Sequence, residues 1–452
     1  MARMIERRRR RDRPDSGPPQ DLPVMGALSS VLALSGPADL ALRRFMRARP
    51  ELGRRDRAEI AETVFDVLRN RRRYAHLAQG GTGPIERRLA LLSLALRGAW
   101  PNAGSRSSLP VPDSAERAWL AHSSSVDSAS RGLDALQASD AVAALALWSS
   151  VPEWIAERWV ARFGAETARA IAEAMLKPAR LNLRVNSLKA DPAAVLAALA
   201  SEGIAARPIE RIPLALEVEG RPALEQCAAF TSGQIEVQDA GSQLLALLVG
   251  ARRGQTVIDL CAGAGGKTLA LAASMRSLGQ IFACDVSVER LRRLHPRLAR
   301  SGASNVQPFA IDSLSDPKLT RLSGRADAVL VDAPCSGSGT WRRNPDLKWR
   351  IGPRDLARLV EEQRGLLRAA STLVRPGGVL VYGTCSLLAE ENEQQVEWFE
   401  RTFPQFRREP ACEVLAAQGI DQAHDFCVDG LLNLLPHRHG TDGFFGVRWK
   451  AA

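Results

Sequence analysis

From residue 255 onward, short apolar runs alternate with stretches of helical spacing, and the runs end in glycine, aspartate or cysteine. They read TVIDLCAG, QIFACDVS, NVQPFAID, ADAVLVDAP and GVLVYGTCS. This alternation predicts a parallel, doubly wound α/β sheet, which binds its ligands beyond the carboxyl ends of the strands. We therefore expect the polar residues that close these runs to share one ligand-binding edge.

Four regions are predicted along the chain, because 452 residues are too many for one core. Residues 1–20, rich in Arg, Asp, Pro and Gly, are expected to form a disordered basic tail. Helical spacing over 21–147 predicts an all-α domain with a Ser-, Pro- and Gly-rich surface loop at 98–131. Linker helices and a small α+β module follow over 148–229, and the doubly wound domain occupies 230–452.

The net charge of +11 is concentrated near the amino terminus. Residues 1–13 carry seven Arg against two acids, and residues 43–73 carry eleven Arg against five. Arginine forks match the geometry of phosphate, so we interpret these two runs as a nucleic-acid footprint. A solvated charged face is the alternative interpretation.

The seven cysteines are scattered and include no CxxC pair. This pattern indicates reduced thiols in a cytoplasmic protein and predicts neither disulfides nor a metal site. No apolar stretch approaches the length of a membrane span. We expect a monomer without a membrane or metal partner.

The segment DLCAGAGGKT (259–268) contains a glycine turn that three nucleotide-binding patterns could explain. A P-loop would need glycine where Cys261 stands, and a dinucleotide fingerprint would need glycine where Thr268 stands. The remaining interpretation is the looser turn of an S-adenosylmethionine-binding sheet, with incidental turns and acids as the alternative. Asp285, which closes the second run, would then hold the ribose hydroxyls, and Asp312 would meet the adenine edge.

Two cysteines stand at run ends: Cys335 follows the fourth run and Cys385 closes the fifth. In a doubly wound sheet such ends can face one cleft. A thiolate that adds to carbon 6 of cytosine makes carbon 5 able to take a methyl group, which is covalent catalysis. A nearby acid such as Asp332 can stabilise the base ring. The alternative is that both thiols only pack in the core.

The motifs VQDAGSQL, DLCAGAGGKT, DAPCSGSGTWRRNPDLKW, PGGVLVYGTCSLLAEENE and GTDGFFGVRW follow one another along the chain. In this order they resemble the motifs of the Sun/Nop-type (RsmB/NOP) RNA cytosine-5 methyltransferases. The resemblance implies a Rossmann-like, class I, S-adenosylmethionine-dependent domain that forms 5-methylcytosine in RNA. It also implies that Cys385 is the nucleophile and that Cys335 helps to release the methylated base. The residues implied at the cofactor are Cys261, Ala262, Gly263, Ala264, Gly265, Gly266, Lys267, Asp285, Arg290, Asp312 and Asp332.

The amino-terminal helices, with ELGRRDRAEIAETVFDVLRNRR, resemble the Nus-B-type RNA-binding domain of this family's bacterial 16S ribosomal RNA methyltransferases. The module over 180–228 resembles the RRM-like piece that precedes the family's catalytic domain. These resemblances imply 16S rRNA, or an early small-subunit particle, as the partner. In one departure, Gly263 and Ala264 replace the Ala-Pro of the usual Cys-Ala-Ala-Pro-Gly-Gly-Lys loop. Losing the proline leaves the loop less pre-organised.

Five residues are predicted to contact RNA. Arg184 and Asn186 lie in the strand-like NLRVN, and Arg342, Arg343 and Lys348 lie in TWRRNPDLKWR. Basic side chains beside the expected cleft suit a phosphate backbone. Ordinary surface charge is the alternative for the second group.

Two other functions stay open from the residues alone. A DNA cytosine-5 methyltransferase would use Cys335 itself as the nucleophile and would need a large target-recognition insertion, which is not evident. A non-catalytic ribosome-assembly factor would keep the fold, and the altered glycine loop is the only feature that supports it.

Overall fold

The computed structural model describes residues 22–100, 108–132 and 140–452. The chain divides into two units, which meet in sequence at Leu133 and Asp134. The tail predicted over residues 1–20 lies outside the described residues. In its described part the first unit is helical, with α1 (Pro23–Leu32), α2 (Ala38–Arg47), α3 (Arg54–Arg69), α4 (Arg71–Leu77), α5 (Ile85–Arg97) and α6 (Ser114–Gly132).

Helix α3 shows why this unit folds as it does. Its apolar residues recur three and four positions apart, and the face they form, with Ile60, Val64 and Leu68, is buried. The basic run that contains α3 is partly internal. The guanidinium of Arg57 donates to the carbonyls of Met46 in α2 and of Arg49 and Leu52 in the α2–α3 connection, and Arg73 is buried. These two arginines of the run therefore stabilise the unit itself.

The prediction of a loop over 98–131 is wrong in its second half, because residues 114–132 form α6. Two ion pairs anchor this serine-rich helix to its own unit. Arg73 binds Asp127, and Arg87 Nε lies 2.7 Å from Glu116 Oε1. Serine disfavours a helix only mildly, so partners from distant parts of the sequence decide the structure here.

The second unit begins with α7 (Ala141–Trp148), α8 (Glu153–Phe163) and α9 (Ala165–Leu176). These helices share a hydrophobic core with side chains from loops of the large sheet, including Leu387 and Leu388. Trp159 stacks on Trp341 with ring centroids 5.3 Å apart. Helix α7 therefore packs with the doubly wound domain, and the domain boundary lies before it rather than after residue 147.

A small antiparallel sheet follows, in the order β2–β3–β1–β4. Its strands are β1 (Leu181–Val185), β2 (Ala206–Pro208), β3 (Ala215–Val218) and β4 (Ile235–Val237), with helices α10 (Pro192–Ser201) and α11 (Ala228–Thr231). The predicted α+β module is confirmed, but β4 lies beyond its predicted end at residue 229. Glu236 of β4 is buried and bound by Arg297, with Nη2–Oε2 at 2.9 Å, and by Arg300.

The large sheet has the order β11–β12–β13–β9–β8–β5–β6–β7, with β10 paired to β13. The strands β5 to β9 run parallel to their neighbours in this group, whereas β13 is antiparallel to β9. The strands are β5 (Thr256–Asp259), β6 (Gln280–Asp285), β7 (Val306–Ala310), β8 (Ala326–Asp332), β9 (Val374–Thr384), β10 (Phe406–Glu409), β11 (Cys427–Val428), β12 (Leu431–Leu434) and β13 (Phe444–Ala451).

Helices cover both faces of this sheet, which explains the nearly continuous apolar runs. In β8, Val329 and Val331 face the core that contains α17, and Leu330 faces the core that contains α12. Within the described ranges, none of the helices combines the length and apolar character that a membrane crossing requires. The helices of this region are α12 (Ala240–Leu248), α13 (Gly266–Ser274), α14 (Val288–Ser301), α15 (Pro317–Thr320), α16 (Leu347–Arg350), α17 (Pro353–Leu373), α18 (Glu393–Thr402), α19 (Ala411–Ala416) and α20 (Pro436–His439).

Candidate active site

The glycine turn lies between β5 and α13, where the strand order reverses direction in the sheet. Gly263 and Gly265 have φ angles of 55° and 81°, in the left-handed region that favours glycine. A Cβ at Gly265 would lie 2.1 Å from Cδ1 of the buried Leu294, so a larger residue there would displace that side chain as well as strain the backbone. The Gly263 N–H donates to Asp285 Oδ2 at 2.8 Å, which ties the turn to the end of β6.

Three of the predicted acids lie at or just after the carboxyl ends of parallel strands in the large sheet. Asp285 ends β6 and also accepts from the N–H of Ser287 at 2.7 Å. Asp312 is exposed two residues after β7, and Asp332 ends β8. The half-exposed Arg290 lies with Nη1 3.8 Å from Asp285 Oδ2. The carboxyl ends of parallel strands share one edge, so the structure brings these predicted residues to the same side of the sheet.

Lys267 at the start of α13 binds the acid of β8. Its Nζ lies 2.6 Å from Asp332 Oδ2 and 5.4 Å from the ring centroid of Phe444. Burial disfavours the charged lysine, but the attraction and hydrogen bond of Asp332 outweigh it and raise the pKa of Lys267. Lys267 is therefore a fixed cation that orients Asp332.

Asp259 is a site residue that the sequence interpretation missed. It ends β5 as Asp285 ends β6, and this shared position is the signal that could have found it. Burial raises the pKa of Asp259 to about 7, although the hydroxyl of Thr268 donates to its Oδ2 at 2.7 Å. Its Oδ1 is buried without a hydrogen-bond partner in the described structure.

The two predicted cysteines meet. The Sγ atoms of Cys335 and Cys385 lie 3.4 Å apart, because β8 and β9 are parallel neighbours and each thiol follows the end of its strand. The hydrogen bond with Cys385 and burial raise the pKa of Cys335 well above its usual range. One edge therefore carries a protonated thiol in direct contact with a second sulfur.

A buried carboxylate holds the loops that carry these thiols, and sequence reasoning missed it as well. Glu391 accepts from the backbone N–H of Ser336 at 2.8 Å and from the hydroxyls of Ser336 and Ser386. Gln363 Nε2 donates to the same carboxylate at 3.0 Å. Burial raises the pKa of Glu391 although these hydrogen bonds oppose the shift. Because Ser336 and Ser386 directly follow the two cysteines, Glu391 fixes both loops at once.

The structure corrects the RNA contacts predicted in the small sheet. Arg184 is buried and donates from Nε to Gln238 Oε1 at 2.7 Å, and burial lowers its pKa to about 10. Asn186 is buried and donates to the carbonyl oxygens of Gly233, at 2.9 Å, and Ser301, at 2.8 Å. Both side chains connect the small sheet to its surroundings and are closed to RNA.

The second predicted group is also engaged within the protein. Arg342 is buried with Nε 2.9 Å from Asp442 Oδ1, and Arg343 bridges Asp442 and Asp239, the latter at 2.7 Å. Lys348 is buried with Nζ 5.0 Å from the ring centroid of Trp349. These cations stabilise the loops around the thiols rather than presenting charge to a phosphate backbone.

The residues at this edge fit S-adenosylmethionine. The orphaned Oδ1 of Asp259 and the exposed carboxylate of Asp312 accept hydrogen bonds, and the cofactor carries ammonium and hydroxyl donors. The glycine turn lets the backbone approach such a ligand closely. Among the described residues, no cluster of His, Cys, Asp or Glu could hold a metal ion. Fold and site together define an S-adenosylmethionine-dependent methyltransferase.

The chain belongs to the RsmB/F family of 16S rRNA methyltransferases. The family model described as 16S rRNA methyltransferase RsmB/F matches residues 246–450, and the ferredoxin-like domain of RsmF/B-like methyltransferases matches residues 151–225. The predicted resemblance and fold class are thereby confirmed.

Individual relatives agree with this assignment. The probable ribosomal RNA small subunit methyltransferase B of Bacillus subtilis (strain 168) is 34% identical over 308 residues, which is 68% of this chain and 67% of the relative. The crystal structure of PH0851 is 27% identical, covers 95% of this chain and 97% of its own, and gives a TM-score of 0.73. A methyltransferase homolog protein from Pyrococcus horikoshii is 30% identical with a TM-score of 0.59, over 70% of this chain and 100% of its own.

Proposed function

We propose that this protein transfers the methyl group of S-adenosylmethionine to carbon 5 of a cytosine in 16S ribosomal RNA. The observation that carries the proposal is the contact between two thiols, Cys335 and Cys385, at the sheet edge where Asp332 ends β8. Relatives named as small-subunit ribosomal RNA methyltransferases support the RNA substrate. We infer a cytoplasmic site of action from the same substrate.

Cys385 is the proposed nucleophile. Addition of its thiolate to carbon 6 of the cytosine places electron density on carbon 5, which is otherwise a poor nucleophile. The turn over residues 261–267, with Asp285 and Asp312, would hold S-adenosylmethionine, which when bound supplies an electrophilic methyl group. Removal of the proton from carbon 5 by a base then expels Cys385 from carbon 6 and restores the aromatic ring.

Asp332 is proposed to assist at the cytosine ring, and Cys335 is proposed to assist at the leaving sulfur of Cys385. Lys267 engages Oδ2 of Asp332, which leaves Oδ1 to accept a hydrogen bond from the 4-amino group of the cytosine as the electron distribution of the ring changes. Cys335, with its raised pKa, keeps its proton at neutral pH. It can therefore donate a hydrogen bond to the Cys385 sulfur as that sulfur leaves carbon 6.

The test is transfer of a labelled methyl group to ribosomal RNA from cells that lack this protein, followed by nucleoside analysis. We expect labelled 5-methylcytosine in the small-subunit RNA. Label in transfer RNA or DNA instead would move the substrate assignment. Label in none of these nucleic acids would favour the assembly-factor alternative.

Three alanine variants test the roles of the thiols. With 5-fluorocytidine RNA, which blocks proton removal from carbon 5, the wild type should form a covalent adduct and Cys385→Ala should form none. With unmodified RNA, Cys335→Ala should accumulate RNA-bound protein, whereas the wild type should release its product. Cys412→Ala removes a partly buried thiol of α19 and is the matched control, with activity like the wild type. An adduct that survives Cys385→Ala and is lost in Cys335→Ala would reassign the nucleophile, as in the DNA-type alternative.

A further inference from the structure

A basic cleft of about 270 Å³ lies between the small sheet and the turn that contains α20. Arg180 precedes β1, Arg207 lies in β2, Arg211 follows β2 and Arg438 lies in α20. All four arginines are exposed. They outnumber the two carboxylates of the lining, so the cleft carries net positive charge.

The cleft's ion pairs leave their arginines accessible. Arg180 and Arg207 share one carboxylate, Glu217 of β3, with nitrogen–oxygen distances of 2.9 and 2.7 Å, and both arginine side chains remain 61% exposed. Arg211 pairs with Asp425, and both side chains are 35% exposed. Water and salt screen such surface pairs, so an incoming phosphate can join or replace them at little cost.

A short chain of backbone contacts connects this cleft to the proposed nucleophile. Gly440 and Thr441 line the cleft, and Gly443 follows two residues later. The N–H of Gly443 donates to the carbonyl of Gly339 at 2.8 Å, and the N–H of Gly339 donates to the carbonyl of Cys385 at 2.9 Å. Two backbone hydrogen bonds therefore join the segment that lines the cleft to the loop that carries Cys385.

We propose that this cleft binds the phosphodiester backbone of the RNA beside the target cytosine. The inference rests on the proposed function and names the surface that holds its substrate. Guanidinium forks match phosphate oxygens in pairs, and these four are free of the burial that removes Arg184 and Arg342 from RNA. Backbone contacts of this kind set the register and position of the strand but do not read its bases.

The test removes three of the four charges, in Arg207→Gln/Arg211→Gln/Arg438→Gln. Arg180 is kept so that the carboxylate of Glu217 retains a partner. Affinity for a 16S rRNA fragment is measured by fluorescence anisotropy at several salt concentrations. Each phosphate contact contributes about 0.7–0.9 to the slope of log K against log salt. We expect the slope of the triple variant to be shallower by about 2 to 3.

The matched control is Arg276→Gln/Arg321→Gln/Arg325→Gln, which removes three exposed arginines near the amino-terminal ends of β6 and β8. Arg276 matches Arg211 in backbone conformation, since both have φ in the left-handed region, at 54° and 65°. The control should bind RNA with the slope of the wild type.

A wild-type salt slope in the triple variant would overturn the proposal that the cleft binds RNA. An equal decrease of the slope in the control would overturn it too, because the effect would then come from net charge alone. If the triple variant unfolds, Arg438→Gln alone should still lower the slope by about 1. Failure of the proposed function looks different. The wild type would then bind RNA and transfer no methyl group, while the slopes would still report on the cleft.

Discussion

The buried carboxylate of Glu391 allows a direct test of how the two thiols are held. Glu391→Gln keeps the size of the side chain and replaces one acceptor oxygen by an NH₂ group that only donates. At Oε1 this group would face two donors, the N–H of Ser336 and the amide of Gln363. The NH₂ group therefore turns toward the hydroxyls of Ser336 and Ser386, whose hydrogen bonds to a charged acceptor are lost.

The expected magnitude follows from two opposing effects. Hydrogen bonds to charged groups contribute about 1.5–3 kcal/mol each, whereas the neutral amide avoids the cost of burying a charge. We expect the free energy of unfolding to fall by about 1–3 kcal/mol. Because both anchored serines directly follow the cysteines, the sulfurs also lose their fixed separation. A shift of about 1 Å at a reacting group can cost about a hundredfold in rate, so kcat should fall about ten- to a hundredfold.

The assay is methyl transfer with kcat and KM for RNA measured separately, together with thermal unfolding. KM should stay within about twofold, because Glu391 is buried away from the RNA. Glu390→Gln is the control: this neighbouring carboxylate pairs with Arg158 and is partly exposed, so kcat should be unchanged. A wild-type kcat in Glu391→Gln, or an equal loss in Glu390→Gln, would refute the assignment of Glu391 as a positioning residue.

Three further predictions concern stability and cofactor binding. Burial raises the pKa of Asp259 to about 7 in the native state, so the native protein holds a proton that the unfolded chain releases near pH 4. The free energy of unfolding should therefore fall by up to about 4 kcal/mol as the pH rises from about 4 to 7. In urea unfolding, Asp259→Asn should show a weaker dependence of stability on pH over this range. Asp127→Ala removes the carboxylate that pairs with the buried guanidinium of Arg73, and it should destabilise the first unit by about 3–5 kcal/mol in thermal unfolding. A loss of stability below about 1 kcal/mol would contradict the anchoring of α6 by this ion pair. Gly265→Ala should weaken S-adenosylmethionine binding in calorimetry more than Gly263→Ala does, because a Cβ at Gly265 would lie 2.1 Å from Cδ1 of Leu294. Gly263→Ala has open space and should cost only the strain of its left-handed backbone, about 1–2 kcal/mol. Equal effects of the two changes would contradict this account of the turn.

The ligand-binding edge could be predicted from the sequence because strand ends are a local signal. The end of a strand is visible in the sequence where a β-branched apolar run stops at Asp285, Asp332 or Cys385. Parallel pairing then brings these strand ends to one side of the sheet. The contact between Cys335 and Cys385 follows from the same rule. Asp259 obeys it as well, since it ends β5 directly before the glycine turn.

The partners of charged residues could not be predicted, because they come from distant parts of the chain. In the sequence, Arg342 resembles a surface cation. In the structure it pairs with Asp442, which lies a hundred residues later in the chain. The acid-rich segment EENE resembles the start of a helix, and nothing local shows that Glu391 is buried between two serines. Likewise, α6 is serine-rich in sequence and is stabilised by Arg73 and Arg87 from other helices.

The small sheet and the large sheet are connected by more than the two residues between β4 and α12. Glu236 binds two arginines of α14, and Asn186 donates to the carbonyl of Ser301 at the end of that helix. Because of these contacts, the small sheet cannot be replaced on its own by that of a relative. A chimera that carries the small sheet of a relative must also carry the matching face of α14, or Arg297 and Arg300 will lose the carboxylate of Glu236.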